Sequence, residues 1–191
     1  MLFSVSIDDF AAAYAMTRHV LSLGHRRIGF ILGNPAQTAS ANRLAGYRSA
    51  LEDAGIAFAD SLTAQGVFTY RSGLDAAEQL LALEVAPTAI FASNDDMAAA
   101  TVAVAHRRGL DVPGDLTVCG FDDTTLATAI WPELTTIHQP IADMSRAAVE
   151  MLVSNIRRQQ ALQERHQLLD FTLIRRQSDA APRRRPQVQR A

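Results

Sequence analysis

Four side chains that could bind a small polar molecule stand just beyond predicted strands of this sequence. Asn94 and Asp122 follow the apolar runs at 87–92 and 116–121. Phe68 is the last residue of the run at 65–68, and Arg43 lies ten residues beyond the run at 27–33. Carboxylate, amide and guanidinium groups can each form a forked pair of hydrogen bonds with neighbouring hydroxyls. An aromatic ring can cover the apolar C–H face of a sugar or stack on a base. These residue types therefore suit a polyhydroxylated ligand.

Each of these residues also has an ordinary structural interpretation. Asn94 stands at the start of a predicted helix, where asparagine is favoured as a cap. Arg43 could pair with a surface acid such as Glu52, and Phe68 could belong to the core. Asp122 and the following aspartate could cap a short helix. Their common position at one rim, with polar groups converging on one place, favours a binding site.

Catalytic chemistry finds little support in the sequence. All 18 cationic residues are arginines, which excludes Schiff-base chemistry, a phosphate-loop lysine and a lysine base. Cys119 is the single cysteine and lies in an apolar run, so a buried strand thiol is expected. The rim aspartates could hold Mg²⁺, but phosphatase-like sites of that kind also need a lysine. We expect no catalytic residue, no metal and no cofactor, and structural roles for the five scattered histidines.

The rim exists only if strands and helices alternate along the chain. Hydrophobic periodicity, caps and glycine stops predict strands over 27–33, 65–68, 87–92, 116–121, 134–138 and 171–174, and helices over 10–23, 40–53, 72–83, 94–109 and 141–158. This alternation predicts an α/β fold, a parallel sheet with helices on both faces. Ligands of such sheets bind outside the carboxyl ends of the strands.

Composition is that of an ordinary globular protein with a charged tail. Of 191 residues, 48% are hydrophobic, and no apolar run is long enough to span a membrane. No export signal is seen at the start, so a cytoplasmic location without membrane contact is expected. Residues 175–191 contain six arginines and one aspartate, a net charge of +5, against −7 for the remainder. The stretch from residue 179 has no periodic apolar residues and is expected to be disordered.

Five blocks of the sequence, taken in order, resemble the signature blocks of the LacI/GalR family of transcription regulators. They are Gly24–Ile31, Arg43–Tyr47, Pro87–Asp95, Gly120–Asp123 and Pro132–Pro140. The resemblance covers about residues 5–178. It implies a periplasmic-binding-protein-like fold of type I, in which two α/β subdomains joined by three crossovers hold the ligand in a cleft between them.

The family resemblance assigns roles to the same rim. It implies effector contacts from Arg43, Phe68, Asn94 and Asp122, with Gln139 near the cleft at a crossover. The fit of Phe68 is looser, since its loop varies among members. The implied effector is a small molecule, most simply a carbohydrate. The implied assembly is a homodimer, with helices 72–84 and 94–109 as expected faces.

The resemblance also implies that this chain is mainly the second subdomain. Residues 1–7 would be a crossover strand, 8–138 the second subdomain, 139–168 a crossover and a helix of the first subdomain, 169–178 the final strand, and 179–191 a disordered basic tail. Operator DNA would be bound only through a missing helix-turn-helix head. With half of the cleft absent, sugar affinity should be weak or nil.

The helix at 141–158 would then lack the sheet that covers it. Its apolar stripe consists of Ile141, Met144, Ala148, Met151, Leu152 and Ile156. We expect this stripe to be exposed, to self-associate, or to fold back on the body of the chain. Two other functions compete with a regulator. A stand-alone sugar-binding protein of the transport type would need an export signal, and a metal-assisted hydrolase or transferase lacks the other residues it requires.

Overall fold

A four-stranded parallel sheet, in the order β3–β2–β4–β5, forms the centre of the computed structural model, which describes residues 3–158 and 166–183. Its strands are β2 (Ile28–Leu32), β3 (Thr63–Gln65), β4 (Ala89–Ala92) and β5 (Thr117–Cys119). All neighbouring pairs are parallel. The carboxyl ends of the strands therefore meet at one edge, which is the edge that the sequence predicts to bind ligand. The prediction of a parallel α/β fold is confirmed.

Helices cover both faces of this sheet. Helices α1 (Asp9–Ser22) and α2 (Thr38–Asp53) pack on one face, and α3 (Tyr70–Leu81) and α4 (Asp95–Arg107) on the other. Successive strand residues point to opposite faces. Phe30 and Phe91 accordingly join the α1–α2 core, whereas Ile31 and Ile90 join the α3–α4 core. A strand buried on both faces explains why the strand segments read as continuous apolar runs.

Helices α1 and α2 approach each other closely at Gly46. A Cβ atom at this position would lie 2.2 Å from the carbonyl oxygen of Phe10, so any larger residue would push the helices apart. The next residue, Tyr47, is fully buried and stacks on Phe30 with ring centroids 4.8 Å apart. Its hydroxyl donates a hydrogen bond to the carbonyl oxygen of Ile28 at 2.8 Å. This contact fixes α2, the helix that carries Arg43, against the start of β2.

The remaining elements lie outside the central sheet and its four helices. A 3₁₀ turn at 60–62 precedes β3, and α5 (Leu126–Ala129) lies beside α4. Strands β6 (Thr136–His138) and β8 (Thr172–Ile174) pair antiparallel. Strands β1 (Ser4–Ile7) and β7 (His166–Leu169) pair parallel, with α6 (Ile141–Arg158) packed on β1. A bridge between Cys119 and Thr135 places β6 next to β5, so Gln139 reaches the same edge.

One face of α6 is not covered by any residue of the ranges 3–158 and 166–183. Ile141, Leu152 and Ile156 of the predicted stripe are exposed, and Val149 and Val153 beside them are exposed as well. Met144, Ala148 and Met151 are half-buried. The structure thus shows two of the three predicted outcomes in part. One half of the stripe is exposed, and the other half folds against the body of the chain, with Met144 packed on the α1–α2 core.

Four elements differ from the sequence predictions. Strand β3 ends at Gln65, not at Phe68, because Phe68 adopts a left-handed backbone conformation with φ of 65°. Helix α3 then begins at Tyr70, capped by the side chain of Thr69. Strand β7 was not predicted. The predicted final strand over 169–178 is shorter, since β8 spans Thr172–Ile174.

The prediction that residues 179–191 are disordered is wrong for 179–183; residues 184–191 lie outside the described part. Ser178 and Asp179 are buried. Ala180 forms hydrogen bonds with Thr117 and accepts one from His25 Nε2 at 2.7 Å. Burial holds the pKa of His25 below its ordinary value. We name residues 178–183 the C-terminal strap. Backbone pairing beside β5 outweighs the polar composition that predicted disorder.

Removal of one hydroxyl tests what the strap contributes to stability. Ser178 Oγ accepts from the Thr135 backbone nitrogen at 2.9 Å and donates to the Val118 carbonyl. The Ser178→Ala variant leaves that buried N–H without a partner, which is expected to lower the free energy of unfolding by about 1–3 kcal/mol in urea titration. The matched control is Ser145→Ala on the exposed face of α6, expected within about 0.5 kcal/mol of the parent chain. Equal losses in the two variants would contradict a stabilising strap.

Candidate functional site

The five predicted site residues form one connected group at the carboxyl edge of the sheet. Gln139 Nε2 donates to Asp122 Oδ1 at 2.6 Å, and Arg43 Nη1 lies 3.8 Å from that same oxygen. The ring of Phe68 has its centroid 5.8 Å from Arg43 Cζ. Asn94 Nδ2 donates to the carbonyl oxygen of Phe68 at 3.0 Å. We call this group of five residues the rim cluster.

Arg43 is the buried centre of the rim cluster. Its Nε donates to Asp9 Oδ1 at 2.8 Å and its Nη1 to the Ser93 carbonyl. The guanidinium lies flat on the Phe121 ring, 3.5 Å from Cζ to the centroid, a geometry that favours cation–π attraction. Its charged partners are Asp9 and, at 3.8 Å, Asp122, and not Glu52. Three fixed contacts hold one orientation of the planar group.

The remaining guanidinium nitrogen of Arg43, Nη2, is accessible to solvent. Within residues 3–158 and 166–183, Arg43 Nη2 has no hydrogen-bond partner. No buried side-chain polar atom in this part of the chain is left without one. Nη2 must therefore reach solvent. The same reasoning applies to Asp122 Oδ2, since Gln139 is the described donor to this carboxylate and donates to Oδ1.

Asp122 stands on a turn with unusual backbone geometry. Its φ is 110° and that of Asp123 is 56°, in a region that aspartate tolerates better than most residues. Its side chain is 26% exposed. Burial raises the pKa of Asp122 to about 6, although Arg43 and Gln139 act to lower it and Asp95 and Asp9 add to the rise. The Asp122 carboxylate, whose Oδ2 reaches solvent, thus lies beside the fixed guanidinium group of Arg43.

Asn94 and Phe68 depend on each other. Asn94 Oδ1 accepts from the Met97 backbone nitrogen and so caps α4, while Nδ2 holds the carbonyl of Phe68. The Phe68 ring lies over Gly33, where a Cβ would come within 2.0 Å of it. Phe68 is half-buried and packs against the α3–α4 core. The capping interpretation of Asn94 is confirmed, and each of its polar atoms retains one further hydrogen-bonding position.

Asp123 has a different task from its neighbour. Its carboxylate accepts from Arg176 Nη2 at 2.6 Å and lies 2.9 Å from His138 Nδ1. Asp123 therefore joins the β5–α5 turn to β6 and to the segment after β8. Of the two adjacent aspartates that the sequence places after β5, the structure directs only Asp122 to the rim cluster.

Sequence reasoning missed two residues of this site. Asp9 carries no sequence signal for this role: the structure makes Asp8 the cap of α1, which leaves Asp9 for Arg43. Phe121 was taken as the last residue of a strand. Its position directly before Asp122 was the one available signal that its ring could support the site. Within the described ranges no group of three or more His, Cys, Asp or Glu side chains could hold a metal ion.

Comparisons with known proteins concern the family of this chain. Residues 17–178 match the family model of the periplasmic binding protein-like domain. The chain belongs to this family. Curated relatives of this chain are transcription regulators, which are not enzymes. The resemblance to the LacI/GalR regulators is therefore confirmed.

Two of these relatives show the extent of the match. The HTH-type transcriptional regulator DegA of Bacillus subtilis is 46% identical over 140 residues, which cover 73% of this chain and 41% of DegA. GalR of Escherichia coli is 35% identical over 178 residues, which cover 93% of this chain and 52% of GalR. The chain thus spans about half the length of the curated relatives it matches.

Solved structures place the fold in the same group. The transcriptional regulator CelR in complex with cellobiose superposes with a TM-score of 0.88 at 34% identity, covering 93% of this family member and 54% of that chain. The transcription regulator CcpA of Lactococcus lactis superposes with a TM-score of 0.86 at 28% identity, covering 93% and 64%. Among the described residues, no helix is long and apolar enough to span a bilayer.

Proposed function

We propose that this chain is the effector-sensing region of a LacI-type DNA-binding transcriptional regulator, a repressor, and that a sugar or related small molecule binds at the rim cluster. The observation that carries the proposal is a hydrogen-bond donor on Arg43 and an acceptor on Asp122 that are both accessible to solvent. Arg43 Nη2 and Asp122 Oδ2 both reach solvent, while the rest of each group is held in place. Vicinal hydroxyls suit such a pair, because each hydroxyl can donate to one and accept from the other.

The other members of the rim cluster complete a site for a polyol. Gln139 Oε1 and the second proton of Asn94 Nδ2 add one acceptor and one donor at the same edge. The half-buried Phe68 ring supplies an apolar wall for the C–H face of a sugar. Two relatives support this ligand class: CelR is known in complex with cellobiose, and another relative is the ribose operon repressor of Escherichia coli.

The whole protein would complete what this chain begins. We propose that residues 8–138 form the second subdomain and that 1–7, 139–168 and 169–178 cross to a first subdomain, which would cover the exposed face of α6. The effector would lie between the subdomains and shift their closure. We further propose that an N-terminal head binds operator DNA and that the protein is a cytoplasmic homodimer. The HTH-type names of DegA and GalR support the DNA-binding head.

Sugar titration followed by NMR tests the ligand class on this chain. Cellobiose, galactose and ribose, each raised to about 50 mM, cover affinities down to the millimolar range expected of half a cleft. We expect at least one sugar to give saturable shifts confined to the rim cluster. The Asp122→Ala variant should abolish them, and Asp75→Ala, an exposed acid on α3, should not. Absence of saturable rim shifts with every sugar, or their persistence in Asp122→Ala, would count against the proposal.

A further inference from the structure

Asp95 is a buried carboxylate that the rim chemistry does not use. The residue is fully buried at the first position of α4, beside the capping Asn94. No arginine or histidine of the described ranges forms a salt bridge with it. Burial raises its pKa, against the lowering effect of hydrogen bonds from Thr136 and Thr124. A buried acid without a cation is costly unless its hydrogen bonds matter to the structure around it.

Those hydrogen bonds reach the two segments that carry rim residues. Asp95 Oδ2 accepts from the Thr124 backbone nitrogen at 2.7 Å and from Thr124 Oγ1 at 3.2 Å. Its Oδ1 accepts from Thr136 Oγ1 at 2.7 Å. Thr124 follows Asp122 by two positions, and Thr136 precedes Gln139 by three.

The turn that carries Asp122 needs contacts that hold its backbone in place. Two consecutive left-handed residues, Asp122 and Asp123, strain the backbone and persist only where surrounding contacts determine them. The incoming strand is fixed by the hydrogen bond from the Asp122 nitrogen to the Ile137 carbonyl at 2.8 Å. Asp95 fixes the outgoing side at Thr124. A Cβ on Gly120 would lie 2.4 Å from Asp95 Oδ1, so the carboxylate also lies against the start of the turn.

We infer that Asp95 is a positioning residue of the rim cluster: it joins the Asp122 turn to β6 and thereby sets the contact between Asp122 and Gln139. One consequence of the inference rests on the proposed function: if a sugar binds at the rim cluster, the orientation of these two side chains determines its affinity. The contact itself can be measured without any sugar.

Four variants separate positioning from general stability. Asp95→Ala removes all three hydrogen bonds. Asp95→Asn keeps an acceptor for the Thr124 nitrogen and offers a donor to Thr136 Oγ1, so it should restore the geometry. Thr136→Val removes one hydroxyl bond to Asp95. Its matched control is Thr101→Val, since Thr101 is equally buried on α4 and its hydroxyl bonds only to the Met97 carbonyl of the same helix.

The readout is the side-chain amide of Gln139 in the NMR spectrum of the 191-residue chain. Its signal is expected at a hydrogen-bonded position in the parent chain, in Asp95→Asn and in Thr101→Val. It should move to the solvent-exposed position in Asp95→Ala and Thr136→Val. An unmoved signal in Thr136→Val would overturn the inference, and this variant decides the matter if Asp95→Ala does not fold.

Sugar titration then distinguishes this inference from the proposed function. For a sugar that binds the parent chain, the dissociation constant is expected to rise about tenfold in Thr136→Val and to stay within about twofold in Thr101→Val. Equal constants in the two valine variants would contradict the role of Asp95 in affinity. If no sugar binds the parent chain, the proposed function fails, while the Gln139 signal still reports whether Asp95 sets the rim geometry.

Discussion

The Asp122→Asn variant is expected to be more stable than the parent chain at pH 7.5, by about 2 kcal/mol in free energy of unfolding. Burial raises the pKa of Asp122 from 3.8 to about 6, so ionised Asp122 costs the folded state free energy. Asparagine has the same shape, tolerates the left-handed backbone and can still accept from Gln139. For a chain of this size, the melting temperature should rise by about 4–8 °C.

The pH dependence of this gain has a definite sign. A group whose pKa is raised on folding contributes stability below its unfolded value, and this contribution is lost as pH rises through the folded value. The stability difference between Asp122→Asn and the parent should therefore be small below pH 4, grow between pH 4 and about 6, and stay constant above. Urea unfolding across pH 3.5–8 measures this curve.

The neighbouring aspartate is the control. Asp123 is paired with Arg176 and His138, so Asp123→Asn should destabilise the fold by about 1–3 kcal/mol. A gain in free energy of unfolding in Asp122→Asn together with a loss in Asp123→Asn would show that the effect of Asp122 comes from its place in the rim cluster, and not from the turn that both residues share. A pH-independent gain, or a loss, in Asp122→Asn at pH 7.5 would show that the buried charge is not costly. An ionised acceptor kept at a cost in stability is a feature that functional sites often show.

The elements that the sequence predicts best are those with local signals. Helix α6 has the predicted bounds because Pro140 precedes it and an apolar stripe runs along it. The rim cluster was predicted because residues at parallel strand ends share an edge whatever the details of the loops. Asp122, Asn94 and Arg43 needed only the order of strands and helices to be placed near one another.

What could not be predicted depends on contacts distant in sequence. Asp9 and Arg43 are 34 positions apart, and nothing near either residue marks the pair. Strand β7 has no alternating pattern, since its four residues are His, Gln, Leu and Leu, and it exists through pairing with β1. The C-terminal strap has the composition of a disordered tail, yet hydrogen bonds to Thr117, Val118 and His25 hold it.

The second large effect concerns Arg43. Replacing it with alanine is expected to lower the free energy of unfolding by about 4 kcal/mol, because removal of one partner of a buried pair leaves Asp9 without its counter-charge. Arg43→Lys should recover little of the loss, since an ammonium cannot hold Asp9 and the Ser93 carbonyl while lying flat on Phe121. Urea unfolding at pH 7.5 measures these losses.

Arg48, on the same helix, is the matched control for Arg43. It is exposed and lies over the Phe58 ring at 4.1 Å, so Arg48→Ala should cost about 0.5–1 kcal/mol. A loss below about 1 kcal/mol in Arg43→Ala would contradict a buried pair.

A double variant tests whether Arg43 and Asp122 act as one unit. Arg43 lowers the pKa of Asp122, so without the guanidinium the ionised carboxylate should become more costly still. The stabilisation by Asp122→Asn should therefore be larger in the Arg43→Ala background than in the parent chain, by about 1 kcal/mol. Equal gains in the two backgrounds would mean that the two groups do not interact across 3.8 Å, and the paired donor and acceptor of the proposed sugar site would then be two independent groups.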